Sequence, residues 1–386
     1  MKGDDRMEQK NYKFQDVCEI VTDYVANGSF KSLADNVQYS DKKDYARLIR
    51  LVDFNNNYDE KNAVWVPESS YNFLKKSVLY GDEVIISNVG ANLGTVFKCP
   101  KLTYPMTLGP NSLLVRTNDL CNQNYLYYYL KSKIGYSKLM ALVSGSAMPK
   151  FNKTELRNME ISLPDRAYQD KGVEVLIKID KKIELNNKIN NNLYEEAVAL
   201  YKDKFKGICQ GKKTIGDYIV PKRGKNLLTR DAIDGDTPVV AGGIDLSAYH
   251  NQSNTKSPVI TISASGANAG YTNLWNIPVW ASDCSYIDDS ITKNVYFWYI
   301  VLKTRQNEIF DAQTGSVQPH IYPQHIAEMS IGELNIAEVE KYNNLVAPLF
   351  KMIGENQKEN KKLSQLRDTL LLKLMNGEID LANIEI

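Results

Sequence analysis

The strongest constraint on this chain is that it carries one pattern twice. The hexapeptide at 144–149 (Ser-Gly-Ser-Ala-Met-Pro) returns at 314–319 as Thr-Gly-Ser-Val-Gln-Pro, an offset of 170 positions. The same offset relates the aromatic runs at 127–129 and 297–299, and it relates Gly207 to Gly377. Upstream, Gly-Ala-Asn-x-Gly occurs at 90–94 and again at 266–270, an offset of 176. Two copies are too few for a solenoid, so the pattern predicts pseudo-twofold symmetry within one chain.

Length and composition exclude several classes of protein. The 386 residues suffice for two or three domains, and five scattered cysteines without a Cys-x-x-Cys motif fit a reducing cytoplasm better than a zinc site or a disulfide framework. His320 and His325 are five residues apart, which is not the helical spacing of metal ligands. No apolar run is long enough to span a bilayer, and we expect no membrane partner. A net charge of +1 excludes a uniformly basic coat for nucleic acid.

Each copy divides into a mixed globular part and a long helix. Turn-bounded apolar runs predict strands at 82–87, 111–116 and 258–263, and helices at 124–138 and 294–305. We therefore predict an α+β fold, with two pseudo-twofold-related globular domains joined by two long helices that form an antiparallel coiled coil. The predicted boundaries are 1–164 for the first domain, 165–207 for its helix, 208–334 for the second domain, and 335–386 for the second helix and tail.

The long helices carry the spacing of a coiled-coil seam. Apolar residues recur at steps of three and four, interrupted by Asn186 and Asn190 in one helix and by Asn356 and Asn360 in the other. A seam asparagine costs stability but fixes register, so antiparallel pairing would place Asn186 opposite Asn360 and Asn190 opposite Asn356. The apolar positions that we assign to the pairing are Leu176, Ile183, Leu193, Ile353, Leu363 and Leu370. The alternative is two amphipathic helices, each packed on its own domain.

Two residues depart from the helical pattern. Arg367 stands where the first copy has Ala197, which weakens the match, and Pro348 is expected to kink or delay the second helix. A helix of about 36 residues is about 54 Å long at ~1.5 Å per residue, the length of about 16 base pairs at ~3.4 Å each. The helices are therefore long enough to separate two modules on duplex DNA, which is itself nearly twofold symmetric.

Sequence motifs for catalysis are missing. The glycine turns at 90–94 and 266–270 lack the Gly-Lys-Ser/Thr of a phosphate loop, so a turn with positive φ is favoured over contact with a nucleic-acid backbone. Asp165 and the Asp180-Lys181-Lys182 run resemble a magnesium nuclease pattern, but a long helix would hold Asp180 well away from Asp165. We assign no catalytic, cofactor-binding or metal-binding residue.

Polar and basic loops are the remaining candidates for function. Serine, threonine, asparagine and glutamine can contact bases and phosphates, and lysine and arginine neutralise phosphates or bind guanine. The candidate DNA-binding residues are Asn27, Ser29, Lys31, Asn92, Ser144, Ser146, Lys150, Lys222, Arg223, Lys225, Asn268, Thr314, Ser316, Gln318 and His320. For each loop the alternative is a solvated turn. The aromatic runs fall within predicted helices and are expected in the core.

A family resemblance spans nearly the whole chain. Residues 366–379 resemble the distal conserved region of type I restriction-modification specificity (S) subunits, and residues 179–190 with Leu193 and Phe205 resemble their central conserved region. Residues 144–149 and 280–283 resemble landmarks within their target-recognition domains. The N-terminal 30 residues and the segment 149–156 match only loosely.

The resemblance implies a non-catalytic subunit for DNA recognition. Each target-recognition domain would read one half of a split, asymmetric site in double-stranded DNA, and the paired helices would set the spacing and dock two methyltransferase (M) subunits. Those partners would bind S-adenosylmethionine, and two restriction (R) subunits would add ATP- and magnesium-dependent cleavage, so no cofactor is expected in this chain. The alternatives are a stand-alone nuclease or modification enzyme, a protein-interaction scaffold, and a silent or orphan specificity copy.

Overall fold

The computed structural model describes residues 9–145, 148–244, 246–315 and 318–379. The chain divides into two compact units. The first unit comprises residues 1–181 and 363–386, and the second comprises residues 182–362. The division falls inside both long helices, so each unit contains one globular part together with a segment of each helix.

The first unit is built on two sheets and a strand pair. Its strands are β1 (Lys10–Lys13), β2 (Cys18–Asp23), β3 (Ala46–Ile49), β4 (Val64–Val66), β5 (Val78–Leu79), β6 (Val84–Ser87), β7 (Val96–Lys98), β8 (Met106–Leu108), β9 (Ser112–Thr117) and β10 (Glu160–Leu163). The strand orders are β2-β9-β6-β7, β4-β3-β8-β5 and β1-β10. All strand pairs are antiparallel except β3 with β8.

Short helices connect these strands. They are α1 (Phe30–Asn36), α2 (Leu51–Asn55), α3 (Glu68–Phe73), α4 (Gln123–Lys131), α5 (Lys133–Ala141) and α6 (Lys153–Asn158), and the long helix α7 (Arg166–Lys204) follows. Single 3₁₀ turns occupy Phe14–Val17, Tyr24–Asn27, Glu60–Asn62 and Lys75–Ser77.

The second unit repeats most of this topology. Its strands are β11 (Lys213–Thr214), β12 (Lys222–Arg223), β13 (Thr237–Val240), β14 (Ala248–His250), β15 (Val259–Ser263), β16 (Thr272–Trp275), β17 (Trp280–Ala281), β18 (Cys284–Asp288) and β19 (Ser330–Ile331). The orders β12-β18-β15-β16 and β11-β19 match β2-β9-β6-β7 and β1-β10 of the first unit. The sheet β14-β13-β17 matches β4-β3-β8, including its parallel pair, but among the described residues it has no strand equivalent to β5. Its helices are α8 (Val295–Thr304), α9 (Gln306–Asp311), α10 (Pro323–Ala327) and α11 (Ile336–Met375), and 3₁₀ turns occupy Ile215–Asp217 and Thr229–Asp231.

The predicted helix at 124–138 is two helices. Ser132 is extended (φ −67°, ψ 161°), which ends α4, and its hydroxyl accepts a hydrogen bond from the backbone N–H of Gly135 at 3.2 Å, which caps α5. The prediction of one continuous helix was wrong because a serine with capping geometry interrupts an otherwise helical pattern. Five of the six residues in the aromatic runs are buried as predicted, namely Tyr128, Tyr129, Phe297, Trp298 and Tyr299. Tyr127 is only half-buried and packs against the same core.

The core of the first unit is completed by residues from both long helices. From the start of α7 come Tyr168, Val173 and Leu176, and from the end of α11 come Leu371, Leu374 and Met375. All six lie in one buried cluster with residues of the sheet and of α4. Gly172 permits the close approach, because a Cβ atom there would lie 2.6 Å from a methyl carbon of Leu374.

The core of the second unit is completed in the same way, with the helices exchanged. Here the start of α11 provides Val339, Tyr342, Val346 and Phe350, and the end of α7 provides Ala197, Tyr201 and Phe205. The Tyr342 hydroxyl donates to the backbone carbonyl of Ala197 at 2.7 Å, which joins the two helices inside the core.

Amide hydrogen bonds fix the register of the helix segments in the second unit. Asn186 Nδ2 donates to Asn360 Oδ1 at 2.8 Å, and Asn356 Nδ2 donates to Asn190 Oδ1 at 2.8 Å. Lys182 forms an ion pair with Glu359 at 3.3 Å on the same seam. The antiparallel pairing predicted from the heptad pattern is confirmed, and the asparagines pair as the predicted register places them. In the first unit, Leu176 and Leu370 lie in one apolar cluster.

Pro348 does not delay the second helix. It lies well inside α11, which begins at Ile336. An interior proline costs roughly 3 kcal/mol, and burial of Val346 and Phe350 on either side offsets this cost. Both long helices end near a glycine in the left-handed region, Gly207 (φ 72°) and Gly377 (φ 68°), as the sequence predicts.

Arg367 is part of a polar contact that crosses the helix pair of the first unit. Its Nη1 donates to Asp180 Oδ1 at 2.9 Å, and the Tyr128 hydroxyl donates to Asp180 Oδ2 at 2.5 Å. One carboxylate therefore joins α7, α11 and α4. Arg367 occupies the position where the first sequence copy has Ala197, and its ion pair with Asp180 replaces the apolar contact expected there. No helix in the described part of the chain is long and apolar enough to cross a membrane.

We expect Asp180→Asn to lower the free energy of unfolding by about 1–2 kcal/mol, because two charge-assisted hydrogen bonds weaken at a partly exposed site. The matched control is Asp368→Asn, which removes the other carboxylate bound to Arg367 at an exposed position and should cost less than about 0.5 kcal/mol. Urea unfolding followed by circular dichroism measures both. Equal effects of the two substitutions would contradict a central role for Asp180.

Candidate nucleic-acid interface

Two loops of the first unit are joined by backbone hydrogen bonds. The Gly90 N–H donates to the Pro149 carbonyl at 3.1 Å, and Ser144 and Lys150 exchange N–H···O bonds at 2.9 and 3.0 Å. Gly90, Gly94 and Gly145 have φ values of 83°, 80° and 88°, which other residues rarely adopt. The prediction that the glycine turns need positive φ is confirmed. The result is a fixed backbone support from which exposed side chains project.

The second unit builds the same support. The Gly266 N–H donates to the Pro319 carbonyl at 3.1 Å, and Thr314 and His320 exchange bonds at 3.0 and 2.8 Å. Gly266, Gly270 and Gly315 again have positive φ. The loops at 90–94 and 144–150, and those at 266–270 and 314–320, therefore have equivalent backbone bonding, although five of their twelve aligned positions carry different residues.

The candidate residues on these loops are accessible to different degrees. Asn92, Ser144, Lys150, Thr314 and Gln318 are exposed, whereas Asn268 and His320 are half-buried. Ser146 and Ser316, also candidates, lie outside the described residues. Within the described ranges, the Lys150 ammonium has no acidic partner, so its charge is available to an anionic ligand.

A basic segment lies on an edge strand of the second unit. Lys222 and Arg223 form β12, which pairs with β18, and Lys225 follows. All three side chains are exposed. Arg223 Nη2 contacts Asp283 Oδ1 at 2.5 Å, and the Ser265 hydroxyl donates to the other oxygen of Asp283. The structure thus brings the 222–225 segment and the Ser265 end of the glycine turn together at Asp283.

The N-terminal candidates have local structural roles. The Asn27 amide donates to the Tyr24 carbonyl and to Ser77 Oγ, and its oxygen accepts from the Lys76 N–H. The Ser29 hydroxyl caps α1 by accepting from the Ser32 N–H at 3.2 Å. These contacts occupy the polar atoms that sequence reasoning assigned to DNA. Lys31 is exposed.

Sequence reasoning missed an apolar cleft beside the same loop in the first unit. Its volume is about 530 Å³, and its lining includes Val25, Phe30, Tyr39 and Lys150. Phe30 is 84% exposed, an unusual state for a large aromatic side chain. The sequence held one indication of this cleft: Phe30, a large apolar residue, lies between the polar candidates Ser29 and Lys31. Asp283 was also missed, although it belongs to the landmark at 280–283.

The residues considered for nuclease chemistry are used in structure. Asp165 accepts a hydrogen bond from the Tyr168 N–H at 2.8 Å at the start of α7, and Asp180 is bound by Tyr128 and Arg367. Neither carboxylate faces the other across a metal site. Among the described residues there is no group of three or more histidine, cysteine, aspartate or glutamate side chains that could hold a metal ion.

The buried thiols are unsuited to nucleophilic chemistry. Burial raises the pKa of Cys121 and of Cys284 to about 12, and desolvation also raises the pKa of the buried Cys99 and of the half-buried Cys18. These four thiols therefore remain protonated near neutral pH, and the thiolate is the reactive form.

Known proteins resemble this chain in sequence and in fold. The family described as "Type I restriction modification DNA specificity domain" matches residues 7–195. The type I restriction enzyme MjaIX specificity subunit of Methanocaldococcus jannaschii is 26% identical over 316 residues, which cover 71% of this chain and 73% of that protein.

A solved structure has the same fold. The crystal structure of a type I restriction-modification system S subunit from M. genitalium matches with a TM-score of 0.58 and 18% identity, covering 97% of this chain and 98% of that chain. At this identity the match shows the fold alone. The chain is thus similar to type I restriction-modification specificity subunits: residues 7–195 match the family model, and the fold matches along nearly the whole chain.

Proposed function

We propose that this chain is the non-catalytic subunit that recognises DNA for a type I restriction-modification complex. Each globular part reads one half of a bipartite, asymmetric site, and the paired helices determine how many unread base pairs separate the halves. Two methyltransferase subunits dock on the helices, and restriction subunits join through them. S-adenosylmethionine, ATP and magnesium belong to those partners.

One observation carries this proposal. Both units present loops on the same hydrogen-bonded backbone support, yet the side chains on the supports differ: Lys150 in one corresponds to His320 in the other. A shared support places both sets of side chains in comparable positions, and different side chains bind different bases. This combination suits a DNA site with two halves of unlike sequence.

The local charge agrees with a polyanionic partner. Lys31 and Lys150 in the first unit, and Lys222 and Lys225 in the second, are exposed at or beside the loops, on a chain whose net charge is only +1. A nearly neutral protein binds duplex DNA through such local basic surfaces, and phosphate contacts make the affinity dependent on salt.

The role of the catalytic partners is supported by how this chain uses its reactive residues. The carboxylates of Asp165 and Asp180 hold helices, and the buried thiols stay protonated. The proposal accordingly assigns chemistry on adenine to a separate methyltransferase.

Two grooves at equivalent positions support the docking of two copies of one partner. One groove, of about 540 Å³, is lined by residues 131–134 of the first unit and by Asp368, Thr369 and Leu372 of α11. The other, of about 320 Å³, is lined by Val198, Ala199 and Lys202 of α7 in the second unit. The offset of 170 that relates the sequence copies also relates these two sets of helix residues.

The proposal is tested by co-expressing the chain with its cognate methyltransferase subunit and mapping N6-methyladenine in the host genome. We expect methylation at one bipartite asymmetric motif and a complex with two methyltransferase subunits per chain. The purified complex should bind DNA carrying the motif, with an affinity that falls steeply as salt rises. A complex that forms but neither binds DNA nor leaves a bipartite mark would favour a scaffold or a silent copy.

We expect Ala199→Glu and Thr369→Glu each to remove one methyltransferase subunit from the complex, and the double variant to remove both. Both positions are exposed on helices, so a glutamate is tolerated in the free chain but places a charge in the groove. Native mass spectrometry counts the subunits, and Ala199→Ser is the control that adds only a hydroxyl. Retention of two subunits by the double variant would refute docking at these grooves.

A further inference from the structure

We propose that Arg223 reads a guanine in the half-site bound by the second unit, and that Asp283 is its positioning residue. This inference rests on the proposed function and adds to it a base and a residue. The second unit would then require a G·C pair at a position that the first unit does not read in this way.

The Arg223 side chain is held in a defined orientation. Its Nη2 contacts Asp283 Oδ1 at 2.5 Å. The other oxygen of that carboxylate accepts a hydrogen bond from the Ser265 hydroxyl, and the Asp283 backbone carbonyl accepts from the Ala264 N–H at 3.1 Å. Asp283 is therefore fixed by the glycine turn of the same unit, and it fixes the guanidinium in turn.

The backbone after Arg223 is fixed as well. The Gly224 N–H donates to the Cys284 carbonyl at 2.8 Å, and the Lys225 N–H donates to the Ala281 carbonyl at 2.9 Å. A Cβ atom at Gly224 would lie 2.4 Å from the Ser282 carbonyl oxygen, so this close approach requires glycine. The arginine thus projects from a rigid edge, which limits the conformational entropy lost on binding.

The ion pair leaves part of the guanidinium free. Among the described residues, Asp283 is the only hydrogen-bond partner of the Arg223 side chain, and it occupies one hydrogen of Nη2. The second hydrogen of Nη2 remains, and together with Nη1 or Nε it can still present two parallel N–H groups. Arg223 is 41% exposed and Asp283 is 31% exposed. An ion pair this accessible to water contributes little to stability, so its main physical effect is to orient the arginine.

Guanine is the base that matches these donors. In the major groove it presents N7 and O6 as neighbouring acceptors, and the planar fork of arginine binds both at once. The exposed ammonium groups of Lys222 and Lys225 flank Arg223 and can neutralise adjacent phosphates. Lysine at position 223 would keep the charge but lose the fork.

The first unit has different chemistry at the equivalent place. Ile86 pairs with Leu113 in the first unit as its counterpart Ile262 pairs with Ser285 in the second, so Leu113 and Ser285 are equivalent. Asp23 is the strand partner of Leu113, and Arg223 is the strand partner of Ser285. Asp23 therefore occupies the position that corresponds to Arg223. The Asp23 carboxylate is paired with Lys153 at 2.9 Å. An acidic side chain there cannot donate to guanine, so the inference concerns the second half-site alone.

The test uses the methyltransferase complex assembled with the wild-type chain or with one of three variants, Arg223→Lys, Arg223→Gln or Asp283→Asn. The first experiment maps methylation by each complex. We expect both Arg223 variants to lose the requirement for one guanine in one half of the motif, with at least about a tenfold fall in discrimination, while the other half stays unchanged. Arg166→Lys replaces another aspartate-paired arginine, on α7, and should leave the motif intact.

Modified duplexes identify the atoms that are read. We expect 7-deazaguanine at that position, which lacks N7, to weaken binding by wild type about tenfold but to have little effect on Arg223→Lys. Inosine retains O6 and N7 and should bind as guanine does. Asp283→Asn should reduce discrimination at the same guanine while leaving salt-dependent, non-specific binding at least as strong, an outcome that a purely structural role would not give.

The possible failures are distinguishable. If wild type methylates a bipartite motif and the folded Arg223 variants methylate the same motif with the same 7-deazaguanine penalty, the inference is overturned and the proposed function stands. If the wild-type complex leaves no bipartite mark, both fall. Thermal unfolding of each variant confirms that folded proteins are compared.

Discussion

The structure depends on one packing constraint: the hydrophobic core of each unit is completed by side chains from both long helices. Neither globular part closes with its own following helix alone. The first also needs Leu371, Leu374 and Met375 from the end of α11, and the second needs Ala197, Tyr201 and Phe205 from the end of α7. Burial of each large apolar side chain contributes about 1.5–3 kcal/mol, so the association of the helix segments is part of the folding of both units.

Apolar packing alone would permit several alignments of two amphipathic helices. The amide pairs Asn186–Asn360 and Asn190–Asn356 restrict the choice, because a shift by one turn would keep only one asparagine pair and would leave the other two seam amides without an amide partner. The polar contact of Asp180 with Tyr128 and Arg367 has the same effect in the first unit. Register is thus set by a few polar contacts, whereas stability comes from the apolar cores.

This separation of register from stability suits the proposed function. Backbone bonds and positive-φ glycines hold the loops, so residues such as Lys150 and His320 can differ between the units without a change in the backbone that supports them. The contact among Arg223, Asp283 and Ser265 differs from these backbone bonds, because it is made by side chains. Its effect is to orient the Arg223 guanidinium.

The sequence predicted the duplication, the long helices and their register because these depend on periodicity and on glycine and asparagine at fixed spacing. It predicted the recognition residues less well. Asn27 and Ser29 have the composition of a contact loop, but their polar atoms satisfy local backbone groups that only the folded turn brings near. Asp283 and Phe30 could not be assigned, because the ion pair of Asp283 with Arg223 and the cleft lined by Phe30 both involve neighbours distant in sequence. The break at Ser132 was missed since a serine that caps one helix can also lie within another.

Disulfide mapping tests the register of the long helices most directly. A variant with Asn186→Cys and Asn360→Cys should form an intramolecular disulfide on mild oxidation, because the two side chains are hydrogen-bonded across the seam. A variant with Asn186→Cys and Asn356→Cys, displaced by about one helical turn, should not. Peptide mapping by mass spectrometry distinguishes the new bond from the native cysteines. Equal cross-linking of the two pairs would show that the helices slide, and would contradict a register fixed by the asparagine pairs.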